Sequence, residues 1–296
     1  MLAGLMQPAP LQISGVLRHA ERAHGDTEIV SLLVGEPEWR YDWAGCADRA
    51  RKVAQAIARL GVRQGDRVST LAWNTHRHLE LMFGVPGTGA ILHTANPRLT
   101  DEQIAYTINH AGSRALFFDR NFLALVERLQ PDLETIEHFV MLSDDERLDP
   151  GTVGALGYED LIGAVSPEYQ WPVLEENTGA ILCYTSGTTG NPKGVLYSHR
   201  SIVLHAMAAS PRSGLDLSVF DVIMPCSSLY HATAWSLPFA AGMNGCKFVL
   251  TCDKFDGETL HGLVEREGVT LSGGVPTIWT TYLSHLDRVG ATPGTL

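Results

Sequence analysis

Short apolar runs of β type alternate with helical patterns along most of the chain. RVSTLAW (67–73) precedes the helical stretch HRHLELMFGV. AILHT (90–94) precedes TDEQIAYTINHAG, where Thr100 and Gln103 have the spacing of a helix capping box. ALFFD (115–119), the helical NFLALVERLQ and the strand-like HFVML (138–142) follow. After SDDERLDPGTVGALG, a connection rich in charge, Pro and Gly, GAILCY (179–184) reads as a buried strand. SHRSIVLHAMAAS reads as a helix with apolar positions at Ile202, Val203, Ala206 and Met207, and DVIMP, KFVLT and VTLSGG supply further strands. This alternation predicts an α/β fold, with parallel or mixed sheets flanked by helices. Ligands of such sheets lie at the carboxyl ends of the strands.

From Val222 to Cys246 the chain runs 25 residues without Asp, Glu, Lys or Arg. That length permits a membrane span, but two prolines, two glycines, an asparagine, a histidine and three serines suit a continuous membrane helix poorly. The window reads instead as a buried strand, a loop and an apolar helix lining a pocket. With 45% hydrophobic and 19% charged residues the composition is that of a globular protein. The net charge of −11, with no Lys/Arg-rich run, argues against nucleic-acid binding. Five scattered cysteines without a C-x-x-C suggest neither a disulfide framework nor a zinc knuckle, and the cytoplasm is the natural setting. The N-terminus has no basic n-region and carries Pro8 and Pro10, unlike a signal peptide. His76, His78 and Glu80 have an H-x-H spacing, but residues two apart on a helix do not face one another, so packing rather than metal binding is expected.

One stretch concentrates candidate chemistry: YTSGTTGNPKGV, Tyr184–Val195. Gly187, Gly190 and Gly194 let the backbone approach a ligand closely, and successive amides in such a turn form an anion nest. Thr185, Ser186, Thr188 and Thr189 add hydroxyls for phosphate oxygens or magnesium, and Lys193 adds a mobile point charge. The residues suit a nucleotide polyphosphate; a surface turn of small polar residues is the plain alternative. The Walker pattern is not met, because Lys193 is flanked by Pro192 and Gly194.

The whole string resembles the phosphate-binding signature of the adenylate-forming superfamily: acyl-CoA synthetases, luciferases and peptide-synthetase adenylation domains. HTANPRLTDEQIAYTINHAGSRALFFD (93–119), YSHRS (197–201), LYHATAWSLPFAA (229–241) and GVPTIW (274–279) look like medium- and long-chain fatty-acid CoA ligases. The resemblance implies ATP-dependent activation of a carboxylic acid to an acyl-adenylate, followed by transfer to coenzyme A. It implies magnesium contact by Thr185, and phosphate contact by Ser186, Gly187, Thr188, Thr189, Gly190 and Lys193. It also places His231 beside the reacting carboxylate and Trp235 in an acyl tunnel, with Gly273, Gly274, Val275 and Pro276 along the acyl-adenylate. The plain readings are a core histidine and a core-filling tryptophan. Were the segment an ordinary helix, His231 and Trp235 would share a face.

The resemblance further implies a partial AMP-binding (adenylation) domain over 1–296, like the large N-terminal domain of acyl-CoA synthetases but incomplete at its C-terminus. It divides into a first α/β part at about 1–176 and, over about 177–296, the phosphate loop and the start of a second. No GYGMTE-like segment or TGD motif is present in the sequence. Without these, and without the C-terminal domain that bears the family's catalytic lysine, the chain alone is expected to be inactive. Three readings stand: a fragment of a fatty-acid CoA ligase, of a ligase for an aryl or methylthio-acid, or a non-catalytic nucleotide- or acyl-binding fragment. No membrane span is expected, and the family relation suggests a homodimer.

Overall fold

The strand and helix patterns resolve into two sheets and ten helices among the residues that the structure, a computed structural model, describes: Gly4, Met6, 8–143, 151–185 and 191–296. The first part of the chain forms α1 (Ile13–His24), β1 (Glu28–Ser31), β2 (Trp39–Asp42), α2 (Trp43–Arg59), β3 (Arg67–Leu71), α3 (His76–Gly87) and β4 (Ile91–Thr94). Next come α4 (Asp101–Ala111), β5 (Ser113–Asp119), α5 (Leu123–Leu129), β6 (His138–Leu142), β7 (Leu156–Gly157) and α6 (Tyr158–Gly163). The rest comprises β8 (Gly179–Thr185), β9 (Lys193–Ser198), α7 (His199–Ala209), β10 (Val222–Pro225) and α8 (Leu237–Asn244). It closes with β11 (Lys247–Leu250), α9 (Gly257–Glu267), β12 (Leu271–Gly273) and α10 (Pro276–Val289).

The larger sheet has the order β7-β6-β5-β3-β4-β8-β9, parallel except for β9, which runs antiparallel to β8. The smaller has the order β12-β10-β11-β1-β2, parallel except for the β1–β2 pair. Side chains alternate across a strand, and here the alternation sorts the chain into layers. Val68, Ala115, Phe117, Ile223, Phe248 and Ile29 enter one large core with α1, α2, α3, α7 and α8. On the opposite face of the larger sheet, Leu71, Leu116, Phe118 and Met141 pack with α4 and α5. On the opposite face of the smaller sheet, Val30, Met224 and Val249 pack with α9 and α10. The result is five layers, helix–sheet–helix–sheet–helix. The expected α/β class, with mixed sheets flanked by helices, is what the structure has.

Each sheet draws strands from both sides of residue 177: β8 and β9 join the sheet of β3–β7, while β1 and β2 join that of β10–β12. The expected division near 177 therefore coincides with no boundary between sheets. The expected capping box at the start of α4 is formed, Thr100 accepting from the Gln103 N–H while the Gln103 side chain accepts from the Thr100 N–H. Ile202, Val203 and Ala206 of α7 are buried as expected, but Met207 is exposed. In the uncharged window, α8 packs into the core: Phe239 meets Phe83 edge-on, and Gly242 lies against Trp43. Residues 144–150 of the charged connection lie outside the described residues.

His76, His78 and Glu80 are fully buried in α3. Glu80 accepts from Arg49 and Tyr158, while Arg77 bonds Glu159 and Glu36, forming a paired interior network. The stretch packs in the interior; among the described residues no group of three or more His, Cys, Asp or Glu is placed to hold a metal ion. No described helix is long and apolar enough to cross a membrane.

Candidate active site

The glycine-rich stretch falls between β8 and β9, an antiparallel pair at one edge of the larger sheet. β8 ends at Thr185 and β9 begins at Lys193, and the two residues are register partners. Ser186, Gly187, Thr188, Thr189 and Gly190 lie outside the described residues. Thr185 and Lys193 are both exposed, and the Thr185 hydroxyl lies 3.5 Å from the Lys193 carbonyl. The expected anion nest falls on those residues; on either side of them the chain is strand, β8 before and β9 after. Gly194 packs closely here: a Cβ would approach Leu182 to 3.1 Å and the Tyr184 ring to 3.3 Å, so both side chains would have to give a little. That ring is fixed in turn. Its hydroxyl bonds His110 Nδ1 at 2.7 Å, and burial, with Tyr106 nearby, pushes its pKa up to about 12.

The acyl-side segment leaves the carboxyl end of β10. His231 is exposed and extended, and its N–H donates to Ser228 O. The next five residues, Ala232, Thr233, Ala234, Trp235 and Ser236, all have positive φ, between 44° and 58°. Left-handed backbone costs a non-glycine residue roughly 1–2 kcal/mol, so such a turn persists only where its surroundings over-determine it. Those surroundings are visible. Thr94 donates to Tyr230 O at 3.2 Å and contacts Cys183 Sγ at 3.3 Å, and β8, which carries Cys183, lies against the turn. His205 Nδ1 bonds Ser236 Oγ at 2.9 Å, while Thr233 and Ala234 are buried.

This left-handed turn corrects the expectation that His231 and Trp235 share one face of an ordinary helix. It also turns Trp235 outward, leaving it 67% exposed, so the tryptophan does not fill the core. His231 is likewise not a core histidine.

The third segment adjoins the second. Gly273 closes β12 beside Pro225 of β10, and its carbonyl accepts from the Cys226 N–H at 2.9 Å. Gly274 packs so tightly that a Cβ would lie 2.9 Å from Cys226 Cβ, and its carbonyl accepts from Trp279 Nε1. Val275, largely exposed, precedes Pro276, the first residue of α10. The structure thus brings His231 and the Gly273–Pro276 segment to neighbouring strand ends. Thr94, bonded to Tyr230 O, ties the His231 segment to Cys183, which stands two residues before Thr185.

Sequence reasoning passed over several residues at this rim. Thr94 and Cys183 stand beside the strained turn, and Asn74 and Asp119 lie at the carboxyl ends of β3 and β5. Asp119 is buried, accepts the Trp73 N–H at 2.6 Å, and is pushed up to about 7 by burial, against the pull of that hydrogen bond and of Arg77. The available signal was a polar residue just beyond an apolar strand, in a chain whose strand ends were already expected to form the site.

Comparison with known proteins agrees with this architecture. The family model described as "AMP-binding enzyme" matches residues 16–293. A 3-methylmercaptopropionyl-CoA ligase of Ruegeria lacuscaerulensis is 44% identical over 290 residues, covering 98% of this chain and 54% of the relative. A medium-chain-fatty-acid–CoA ligase of Ectopseudomonas oleovorans is 42% identical over 284 residues, covering 96% and 52%. Among solved structures, an anthranilate CoA ligase in complex with anthranoyl-AMP superposes with a TM-score of 0.86 at 22% identity, covering 98% of this chain and 54% of that one. The last likeness concerns the fold alone. The chain spans about half the length of the curated relatives it matches. With the family model matching nearly its whole length, the chain belongs to the AMP-binding enzyme family.

Proposed function

We propose that this chain is part of an acyl-CoA ligase, which activates a carboxylic acid with ATP to an acyl-adenylate and passes the acyl group to coenzyme A. The carrying observation is the antiparallel β8–β9 pair whose facing ends, Thr185 and Lys193, root the YTSGTTGNPKGV loop next to the segment bearing His231. Lys193, with the amides and hydroxyls of Ser186–Gly190, holds the β- and γ-phosphates while the acid attacks the α-phosphorus; this is electrostatic positioning rather than covalent chemistry. Thr185 by itself is no metal site, but its exposed hydroxyl suits a magnesium ion that arrives on the triphosphate and keeps most of its oxygen ligands from phosphate and water. Such an ion would neutralise charge on the leaving pyrophosphate. His231 orients the carboxylate, Trp235 borders the acyl path, and Gly273–Pro276 lie along the adenylate.

The acid is a medium- or long-chain fatty acid. A methylthio-acid is the second reading, favoured by the 44% identity to 3-methylmercaptopropionyl-CoA ligases. Five unpaired, buried cysteines support a reducing, cytoplasmic setting, and we also propose a homodimer, testable by light scattering. The decisive experiment is ATP–pyrophosphate exchange by the full-length protein with C4 to C18 acids and 3-methylmercaptopropionate. Acid-dependent exchange is expected, and the best acid identifies the substrate class. Its absence with every acid defeats the ligase reading and leaves the non-catalytic binding one. The 296-residue chain alone is expected to give no exchange.

A further inference from the structure

At their carboxyl ends the two sheets are joined by a side chain that makes three hydrogen bonds across the gap. Asn74 follows β3 of the larger sheet, and its carboxamide is buried among backbone groups that belong to the smaller one. Its Nδ2 donates to Pro225 O at 3.2 Å and to Ser227 O at 3.1 Å, and its Oδ1 accepts from the Leu229 N–H at 2.8 Å. The Asn74 carbonyl accepts from Cys252 N at 2.8 Å, just past β11. Both amide donors and the acceptor are thus used on three backbone groups within five residues, and that stretch ends two residues before His231. The base of the clamp is itself fixed: the Trp73 N–H is bound by Asp119 of β5, and the Trp73 ring meets Tyr230 edge-on.

A carboxamide is the side chain that offers two donors and an acceptor from one rigid plane. Neither Asp, which lacks the donors, nor Leu, which lacks both, could close this set without leaving a buried carbonyl or amide unpaired. We propose that Asn74 is a positioning residue: it sets the His231 segment of the smaller sheet against the β8 strand that carries the phosphate loop, and so aligns the acid with the nucleotide. The inference rests on the acyl-side reading of His231 given above. Asn74 touches neither substrate. It acts through the backbone of Pro225–Leu229, where a displacement of about 1 Å is enough to lower the rate a hundredfold.

The test uses the full-length protein with Asn74→Ala and Asn74→Ser, the serine keeping one donor. Pyrophosphate exchange is measured against acid and against ATP separately. The expected result is an acid KM raised roughly tenfold or more in Asn74→Ala, an ATP KM within about twofold of the parent, and an intermediate acid KM in Asn74→Ser. Equal rises in both KM values, or an acid KM unchanged in a folded variant, overturn the proposal. Recovery of both variants only as aggregates overturns it as well, since Asn74 would then serve folding rather than alignment. A parent protein that shows no acid-dependent exchange defeats the ligase reading instead, which keeps the two failures apart.

Discussion

Lys193 and Trp235 both carry side chains that stand exposed beside the candidate site. Lys193 stands exposed at the start of β9, on the frame of a sheet yet free to reach a polyanion. Replacing it with alanine should lower pyrophosphate exchange in the full-length protein by roughly a hundredfold, the loss typical of one preorganised donor to developing charge. A loss below threefold would remove it from the phosphate site. An indole with 67% of its surface exposed contributes little to folding where it stands. Trp235→Ala should therefore leave the melting temperature nearly unchanged while shifting the preference among C6 to C18 acids, and an unchanged profile would take it away from the acyl path. The phosphate-loop residues could be picked out in the sequence because their chemistry is local: hydroxyls, glycines and a lysine in one string. Asn74 and Asp119 could not, because what marks them is the set of backbone groups they meet, some more than 150 positions away in the case of Asn74.

Among elements, the turn at Ala232–Ser236 shows why local patterns misled. The sequence ATAWS carries no glycine and no residue that prefers positive φ, so spacing alone suggested ordinary helical geometry. The left-handed turn is held instead by tertiary packing against β8 and α7, with His205 bonded to Ser236 and Thr94 bonded to Tyr230 O just before it. Glycine adopts that conformation without the penalty, although it also widens the unfolded ensemble by about 0.4–1 kcal/mol. Ala232→Gly should therefore stabilise by about 0.5–1 kcal/mol, raising the melting temperature by about 1–3 °C on scanning calorimetry. A lower melting temperature would show that the left-handed backbone carries no strain at this position. The strands fared better, since β3, β4, β5, β6, β8, β10, β11 and β12 all lie within or overlap runs whose apolar character was plain. The pairing of β9 with β8 was hidden, because Val195 and Leu196 lie at an exposed edge and give no burial pattern.

For the whole molecule, buried histidines govern the response to acid. Burial holds His78 and His199 down at about 4 and His93 at about 3. Between those values and the ordinary 6.5, the unfolded chain binds protons that the folded chain refuses, so their contribution is intact above pH 6.5 and is lost as pH falls through the window. Asp119 acts with the opposite sign. Its folded pKa of about 7 lies above its ordinary 3.8, so the native state holds an extra proton between the two, and its contribution diminishes as pH rises through that range. The melting temperature should fall from pH 7 to 4.5, and fall more steeply in Asp119→Asn, which still offers an oxygen to the Trp73 N–H. Equal slopes in parent and variant by circular dichroism would contradict this.

The interleaving of the two sheets has a consequence for how the chain acquires its structure. Ile29 and Val30 emerge early in synthesis, yet their parallel partners are Phe248 and Val249. Pairing at such sequence separation must wait for the intervening chain and closes slowly. The larger sheet can assemble as soon as β9 is made, whereas β1 and β2 remain a lone hairpin until β11 arrives. A nascent chain ending near residue 215 should thus protect the β3–β8 region from protease while the segment around β1 is still cut. The clamp at Asn74, which needs Pro225 to Leu229 and then Cys252, would be among the last contacts to form.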